Sequence, residues 1–305
     1  GVLISRQFVL TAAHCYRNKN TTGFLSVRLG STKRTNYTLH CQRNTGKNFH
    51  LERSNTTVIH EDLDDQVICM EVDYVCIPLQ DNCTLFMKDI ALLKLKEPVN
   101  FTTYIWPICL PEHCEEPPSN ASIYGVGWGI VYDYVIYPDE TDESLNEADK
   151  DVRDSVEYES SAEETKDASS ELEGFLVHFH PKTLMERNIS LITNEQCEKQ
   201  LATTVPHYAL CSNGGVCYGD SGGPLMYKKE GQWFLAGIHS VVGGDCYNPS
   251  KPSVHVRVSH FVDSFFLPLM QQDQDSESTK HNLCIKDEAR KECVTTFYNS
   301  YNASI

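Results

Sequence analysis

An antiparallel all-β fold, barrel or sandwich, is predicted by two observations. Short runs of β-branched and aromatic residues recur between turn residues, and helical spacing is almost absent. The 13 cysteines spread over 305 residues point separately to an oxidising compartment and an exported chain. With 40% hydrophobic residues there is material for a real core, in one large domain or two.

The strand runs, in order, are Phe24 to Leu29, Thr56 to Ile59, Ile90 to Leu95, Ile123 to Val126, Trp233 to Ser240 and Ser253 to Val258. One stretch near the end, Ser259 to Met270, has helical spacing, with Ser259 as the expected cap ahead of Phe261, Val262, Phe265 and Phe266. Asp139 to Glu173 breaks the pattern, with 15 acids, 3 bases and almost no aromatic residues. Such a segment buries too little surface to offset its ordering entropy, so a disordered acidic loop is expected. Gln271 to Ile305 reads as a polar tail holding Cys284, Cys293 and a sequon, an extension or a stump leading elsewhere.

Charge and composition exclude several functions. The net charge is −16, of which the acidic loop carries −12, so a nucleic-acid binder is not expected. No apolar run approaches the roughly 18 residues that span a bilayer. Metal-type Cys-x-x-Cys pairs are missing. Eight asparagines, Asn20, Asn36, Asn55, Asn82, Asn100, Asn120, Asn188 and Asn302, sit in Asn-x-Ser/Thr, where about two would arise by chance. They read as glycosylation sites of a secreted, extracellular protein. The odd cysteine count means that one partner is missing or one thiol is free. The opening at Gly1-Val2-Leu3-Ile4, mid-pattern and without Met, reads as a fragment of a longer precursor.

Three local patterns carry chemistry. Leu10-Thr11-Ala12-Ala13-His14-Cys15 sets a His beside a Cys after an apolar strand, and Asp89-Ile90-Ala91-Leu92-Leu93 sets a carboxylate at the head of another. Cys217-Tyr218-Gly219-Asp220-Ser221-Gly222-Gly223-Pro224 sets a Ser in a glycine-rich turn. A serine hydroxyl becomes a useful nucleophile when a neutral imidazole takes its proton, while a carboxylate on the other ring nitrogen holds the tautomer. Alone, His14 would more often be structural and Asp89 a turn residue. Their conjunction with Ser221 favours chemistry.

The His and Ser patterns, found in this order, resemble the chymotrypsin-like serine proteases. The resemblance runs from Gly1 to about Met270, interrupted by insertions. Trp106-Pro107-Ile108-Cys109-Leu110-Pro111, Gly127-Trp128-Gly129, Ile192-Thr193-Asn194-Glu195-Gln196-Cys197 and Pro252-Ser253-Val254-His255-Val256-Arg257-Val258 support it. It implies two antiparallel six-stranded β-barrels with a C-terminal helix as a protease domain over 1–270, followed by an extension over 271–305. The triad is then His14, Asp89 and Ser221, in the cleft between the barrels. The backbone N–H groups of Gly219 and Ser221 form the oxyanion hole. Ser240, in Gly237-Ile238-His239-Ser240, supports the buried Asp and lines substrate backbone.

By the same resemblance Gly215, six positions before the nucleophile, lies at the base of the primary specificity pocket. Val216 lies beside it, Val242 on the wall and Ser253 at the far side. This uncharged pocket suits a small or medium aliphatic residue before the scissile bond. Family members are zymogens in which a freed N-terminal amine pairs with the Asp before the catalytic Ser, here Asp220. That amine, and a further Cys expected to pair with Cys15, would lie upstream of Gly1. Cys197–Cys211 and Cys217–Cys246 are the implied disulfides. Cys109 matches a position that tethers a light chain or prodomain. Cys41, Cys69, Cys76, Cys83, Cys114, Cys284 and Cys293 stay unconnected.

Two competing motifs are set aside. Gly219-x-Ser221-x-Gly223 fits the elbow of α/β-hydrolases, but Pro224 follows it and the best His lies far upstream. His178-Phe179-His180 has no spaced third ligand, so no metal or other cofactor is expected. The His14-to-Asp89 and Asp89-to-Ser221 intervals of 75 and 132 residues exceed the family's usual spacing. The insertions flank the cleft, where they narrow specificity. The sequence therefore reads as a secreted serine endopeptidase of a regulatory cascade acting on protein substrates, with a basic protein partner attracted to the acidic loop. The competing reading is a glycosylated, non-catalytic scaffold that binds a partner through its long loops.

Overall fold

The structure is a computed structural model and describes residues 1–16, 25–34, 67–81, 83–84, 86–136, 174–244, 246, 250–271 and 283–304. The strand expected over Thr56 to Ile59, the acidic loop 139–173, Cys41 and the sequons Asn20, Asn36, Asn55 and Asn82 lie outside them.

The first sheet holds β1 (Val2–Leu3), β2 (Phe8–Thr11), β3 (Ser26–Leu29), β4 (Ile68–Cys76) and β5 (Ala91–Leu95), in the order β1-β2-β5-β4-β3. Every pairing is antiparallel, with Leu10 opposite Leu92 and Val75 opposite Leu93. All four residues of β2 are buried, which is why it reads as a continuous apolar run rather than an alternating one.

The second sheet holds β6 (Ile123–Gly127), β9 (Met185–Ile189), β10 (Leu191–Ile192), β11 (Ala209–Ser212), β12 (Pro224–Lys229), β13 (Gln232–Val241) and β14 (Ser253–Arg257). Its order is β10-β11-β14-β13-β12-β6-β9. A separate hairpin, β7 (Val131–Ile136) with β8 (Gly174–Phe179), flanks the acidic loop. The two sheets are barrel-like, with five and seven strands among the described residues where two sets of six were expected. Leu10 and Leu92 of the first sheet share one core with Leu235, Ile238 and Val256 of the second and with Phe261, Phe265 and Phe266. Phe266 is fully buried, and burial of such a side chain contributes about 1.5–3 kcal/mol.

The helical stretch expected over Ser259 to Met270 is present, and two further helices, one before it and one after it, were not expected. Helix α1 (Asn194–Leu201) had no apolar period to reveal it, because only Cys197 is buried. It starts on a capping box in which the Thr193 hydroxyl accepts from Gln196 N at 3.2 Å while the Gln196 side chain accepts from Thr193 N at 3.1 Å. The run from Val258 is a 3-10 turn (Val258–Phe261), a π turn (Val262–Phe266) and a short α-helix, α2 (Leu267–Met270). Ser259 does not cap it. Arg257 stands at the cap position but its side chain makes no capping bond, and the Ser259 hydroxyl is buried without a hydrogen-bond partner among the described residues.

The supposed polar tail holds α3 (Asp287–Ser304), which packs into the body of the protein through Cys293, Val294 and Phe297. Two disulfides, Cys76–Cys284 and Cys83–Cys293, fasten it there. The amphipathic stripe is narrow, and the polar residues around it explain why composition alone suggested a tail. Cys197–Cys211 ties α1 to β11, and Cys217–Cys246 ties the turn before Ser221 to the segment after β13. Cys69 is also disulfide-bonded.

Candidate active site

The 3-10 turn Ala13–Tyr16 follows β2 directly and buries His14, which is 6% exposed. Asp89 heads β5 and is 1% exposed. Because β2 and β5 are adjacent and antiparallel, with Thr11 opposite Ala91, the end of one strand meets the start of the other. The Asp89 carboxylate accepts from the His14 backbone N at 2.8 Å and from His14 Nδ1 at 2.6 Å. A carboxylate there requires the proton on Nδ1, which leaves the Nε2 lone pair for a base's work. Burial pushes the His14 imidazolium down, but the Asp89 charge and hydrogen bond push it up by more, leaving its pKa above the ordinary imidazole value.

Ser240 reaches the same carboxylate across the sheets, its Oγ donating to Asp89 Oδ2 at 2.5 Å. Its aim comes from a register shift. His239 pairs with His255 and Val241 with Val254, so Ser240 sits at a bulge between β13 and β14 and turns away from the ladder.

Ser221 sits in the turn leading into β12 and is half-buried. Gly222 N donates to His239 O at 2.9 Å, and His239 N donates to Gly223 O at 2.9 Å, so the turn is stitched to β13. Its other side touches the residues leading to His14. At Gly222, with φ +80°, a β carbon would collide with the Thr11 hydroxyl and lie 3.0 Å from Ala12 N. Gly219, with φ +98°, leaves a β carbon only 3.2 Å from the Gly129 Cα and from the His180 ring. The glycines therefore permit a backbone that approaches both the His14 segment and the Gly129 loop.

Behind Ser221, the Asp220 carboxylate accepts from Gly129 N at 2.7 Å and Cys217 N at 2.9 Å. Burial pushes its pKa up against the pull of those two N–H groups. Of the residues expected around the specificity pocket, Gly215 lies half-buried beside Ile189, and Val242 is half-buried. Val216 is 7% exposed and packs with Ile189, Leu210 and Leu225. Ser253 is fully buried, with its hydroxyl accepting from Gly243 N at 3.1 Å. Cys109 carries a free, half-buried thiol whose Sγ lies 4.0 Å from Gln232 Oε1. Asn100, Asn120 and Asn188 are exposed, and Asn302 lies in α3.

Two groups escaped the sequence reading. His239 and His255 are buried behind the nucleophile turn, Nδ1 to Nδ1 at 3.3 Å, and His255 Nε2 lies 2.8 Å from the Ser212 hydroxyl, which donates to Gly214 O at 2.9 Å. Burial holds His255 down at about 3 and His239 well below its ordinary value. The signal was two histidines at otherwise apolar strand positions. The second group is Phe297 and Tyr298 of α3, whose rings meet that of His14. Its signal was Cys293, Val294 and Phe297 at helical spacing.

The family model described as Trypsin matches residues 1–175 and 168–264. A mouse protein described as tryptase is 29% identical over 275 residues, which cover 86% of this chain and 75% of that protein.

Proposed function

The chain belongs to the trypsin family of chymotrypsin-like serine proteases, and from that premise we propose that it is a secreted serine endopeptidase with His14, Asp89 and Ser221 as its triad. The observation that carries this reading is the Asp89 carboxylate. It is almost wholly buried, yet receives the His14 ring, the His14 backbone N–H and the Ser240 hydroxyl. Few structural aspartates need three donors, one of them an imidazole.

In the proposed reaction, Ser221 Oγ attacks the scissile carbonyl carbon as its proton passes to His14 Nε2. The carbonyl oxygen takes the negative charge and accepts from the N–H groups of Gly219 and Ser221, each such donor contributing about 10²–10³ in rate. The His14 proton then goes to the leaving nitrogen, the C–N bond breaks and an acyl-enzyme remains. Water attacks the ester while giving a proton to Nε2. The Ser221 C–O bond breaks, and that proton returns to Oγ. Asp89 stays ionised and stabilises the imidazolium formed in each half.

Gly215, Val216, Ser240, Val242 and Ser253 make an uncharged primary pocket in this reading, so Ala or Val before the cleaved bond is favoured over Arg, whose guanidinium would be buried unpaired. Asp220 is the carboxylate that activation of a zymogen would pair with a new amine. Cys109 is the tether to a prodomain, the sequons are glycosylated, and the long loops make it a cascade protease. Disulfide bonds and the family support export. Among the described residues no helix is long and apolar enough to cross a membrane.

The test is labelling of the full-length, activated protein with a fluorophosphonate. Label on Ser221, lost together with peptide hydrolysis in Ser221→Ala, is expected. A correctly folded, activated protein that takes no label and cleaves no peptide would instead be a binding scaffold.

A further inference from the structure

Helix α3 has no part in the triad reading, yet it reaches the catalytic base. Two disulfides, one from α3 and one from the residues just before it, end on the segment that leads into Asp89. Cys284 joins Cys76, the last residue of β4, and Cys293 joins Cys83, six residues before Asp89. Backbone bonds reinforce this strap, with Ile285 N donating to Ile77 O at 2.9 Å and Leu79 N to Leu283 O at 3.2 Å. Cys293, Val294 and Phe297 are each at most 4% exposed and share a cluster with Ala13, Tyr16 and Met87, residues on either side of the His14–Asp89 pair in the chain.

At the end of that stripe, the Phe297 ring stacks on the His14 ring with centroids 5.4 Å apart and planes inclined by 16°. Tyr298 meets the same imidazole edge-on at 5.9 Å and 86°, and its hydroxyl lies 3.5 Å from the His14 carbonyl oxygen. An imidazole has two nitrogen edges and two faces. Asp89 holds the Nδ1 edge and Phe297 covers a face, which leaves Nε2 for proton transfer.

Resting on the protease reading, we propose that Phe297, supported by Tyr298, is a positioning residue for His14, and that the Cys76–Cys284 and Cys83–Cys293 disulfides keep it in place. The function of α3 is then to complete the catalytic machinery from beyond the family's usual domain. A general base loses rate steeply when its ring tilts, because proton transfer requires alignment at hydrogen-bond distance, and a misplacement near 1 Å can cost about 10²-fold. A flat ring stacked on the imidazole restricts that tilt about χ2, and it excludes water that would compete for Asp89.

Phe297→Leu keeps an apolar side chain in the cluster while removing the flat ring, and Phe297→Tyr restores one. On a short peptide substrate, Phe297→Leu is expected to lower kcat by about 10–100-fold with little change in KM, and Phe297→Tyr to recover most of the loss. Replacing Cys83 and Cys293 together by Ser should reproduce the kcat effect. In NMR spectra of the full-length, activated protein, the His14 ring protons should carry an upfield ring-current shift that Phe297→Leu abolishes. Unchanged kcat in the folded Leu variant would overturn the proposal, as would a rise in KM alone, which would make Phe297 a wall of the substrate groove. Fluorophosphonate labelling of the wild-type protein separates the two levels. Absence of label there defeats the protease reading, whereas the NMR shift still reports whether α3 orders His14.

Discussion

A single carboxylate with three donors organises the site at the residue scale. Asp89 raises the pKa of His14, so the acid limb of kcat/KM, which requires neutral His14, is expected above the ordinary imidazole value. Asp89→Asn should move that limb down and lower kcat by about 10³–10⁴, because the amide no longer holds the required tautomer. Ser240→Ala removes one charge-assisted bond and leaves the other two, so its loss in kcat/KM should be smaller, roughly 10-fold. A pH–rate profile of the three proteins checks the order. The buried pair His239 and His255 acts on stability with the opposite sign. Their folded pKa values lie below the unfolded value of 6.5, so their neutral forms favour folding at higher pH. That contribution is lost as pH falls below 6.5 towards 3, where the unfolded chain binds protons the folded one refuses, at about 1.4 kcal/mol per pH unit for each proton. His255→Phe should therefore flatten the decline in unfolding free energy between pH 6.5 and 4, measured by urea titration, whatever it does to stability at pH 7.

At the scale of elements, packing and capping divided what could be read. β2, β5 and β13 announce themselves because both or alternate faces are buried, and the expected runs Ile90 to Leu95 and Trp233 to Ser240 fall on Ala91–Leu95 and Gln232–Val241. β4 mixes Glu71 and Asp73 among its apolar residues, and its strand state comes from pairing with β3 and β5. Helix α1 depends on its start signal and on Cys197 rather than on an apolar face. Thr193→Ala is accordingly expected to cost about 1 kcal/mol of unfolding free energy. Because Thr193 makes none of the hydrogen bonds of the His14–Asp89–Ser240 group, kcat should stay within about 2-fold. Chemical denaturation and a single peptide assay check both statements.

For the whole molecule, charge is the feature that local structure does not use. The sequence places fifteen carboxylates within 139–173, between the two strands of the β7–β8 hairpin, and a segment so charged is expected to attract basic partners. Deleting 139–173 should leave turnover of a short neutral peptide nearly unchanged. It should also slow association with a basic protein partner by about 10-fold at low salt and flatten the salt dependence of that rate. Stopped-flow association rates from low to physiological ionic strength check this. Equal rates with and without the segment would reduce it to a solvated spacer.

The sequence alone determined the family and the β class, and it singled out the groups proposed to react. Those depend on local chemistry: a His after an apolar strand, an Asp ahead of one, and a Ser among glycines that tolerate positive φ. Only the tertiary structure decided which distant groups share a carboxylate, since Ser240 reaches Asp89 through a bulge whose existence depends on the register of β13 against β14. It also decided that the segment resembling a polar tail is a helix. Side chains such as Cys293, Val294 and Phe297 specify little by themselves among polar neighbours. Their helical spacing hints at a helix, but the contact of Phe297 with His14 depends on two long-range disulfides that local spacing does not encode.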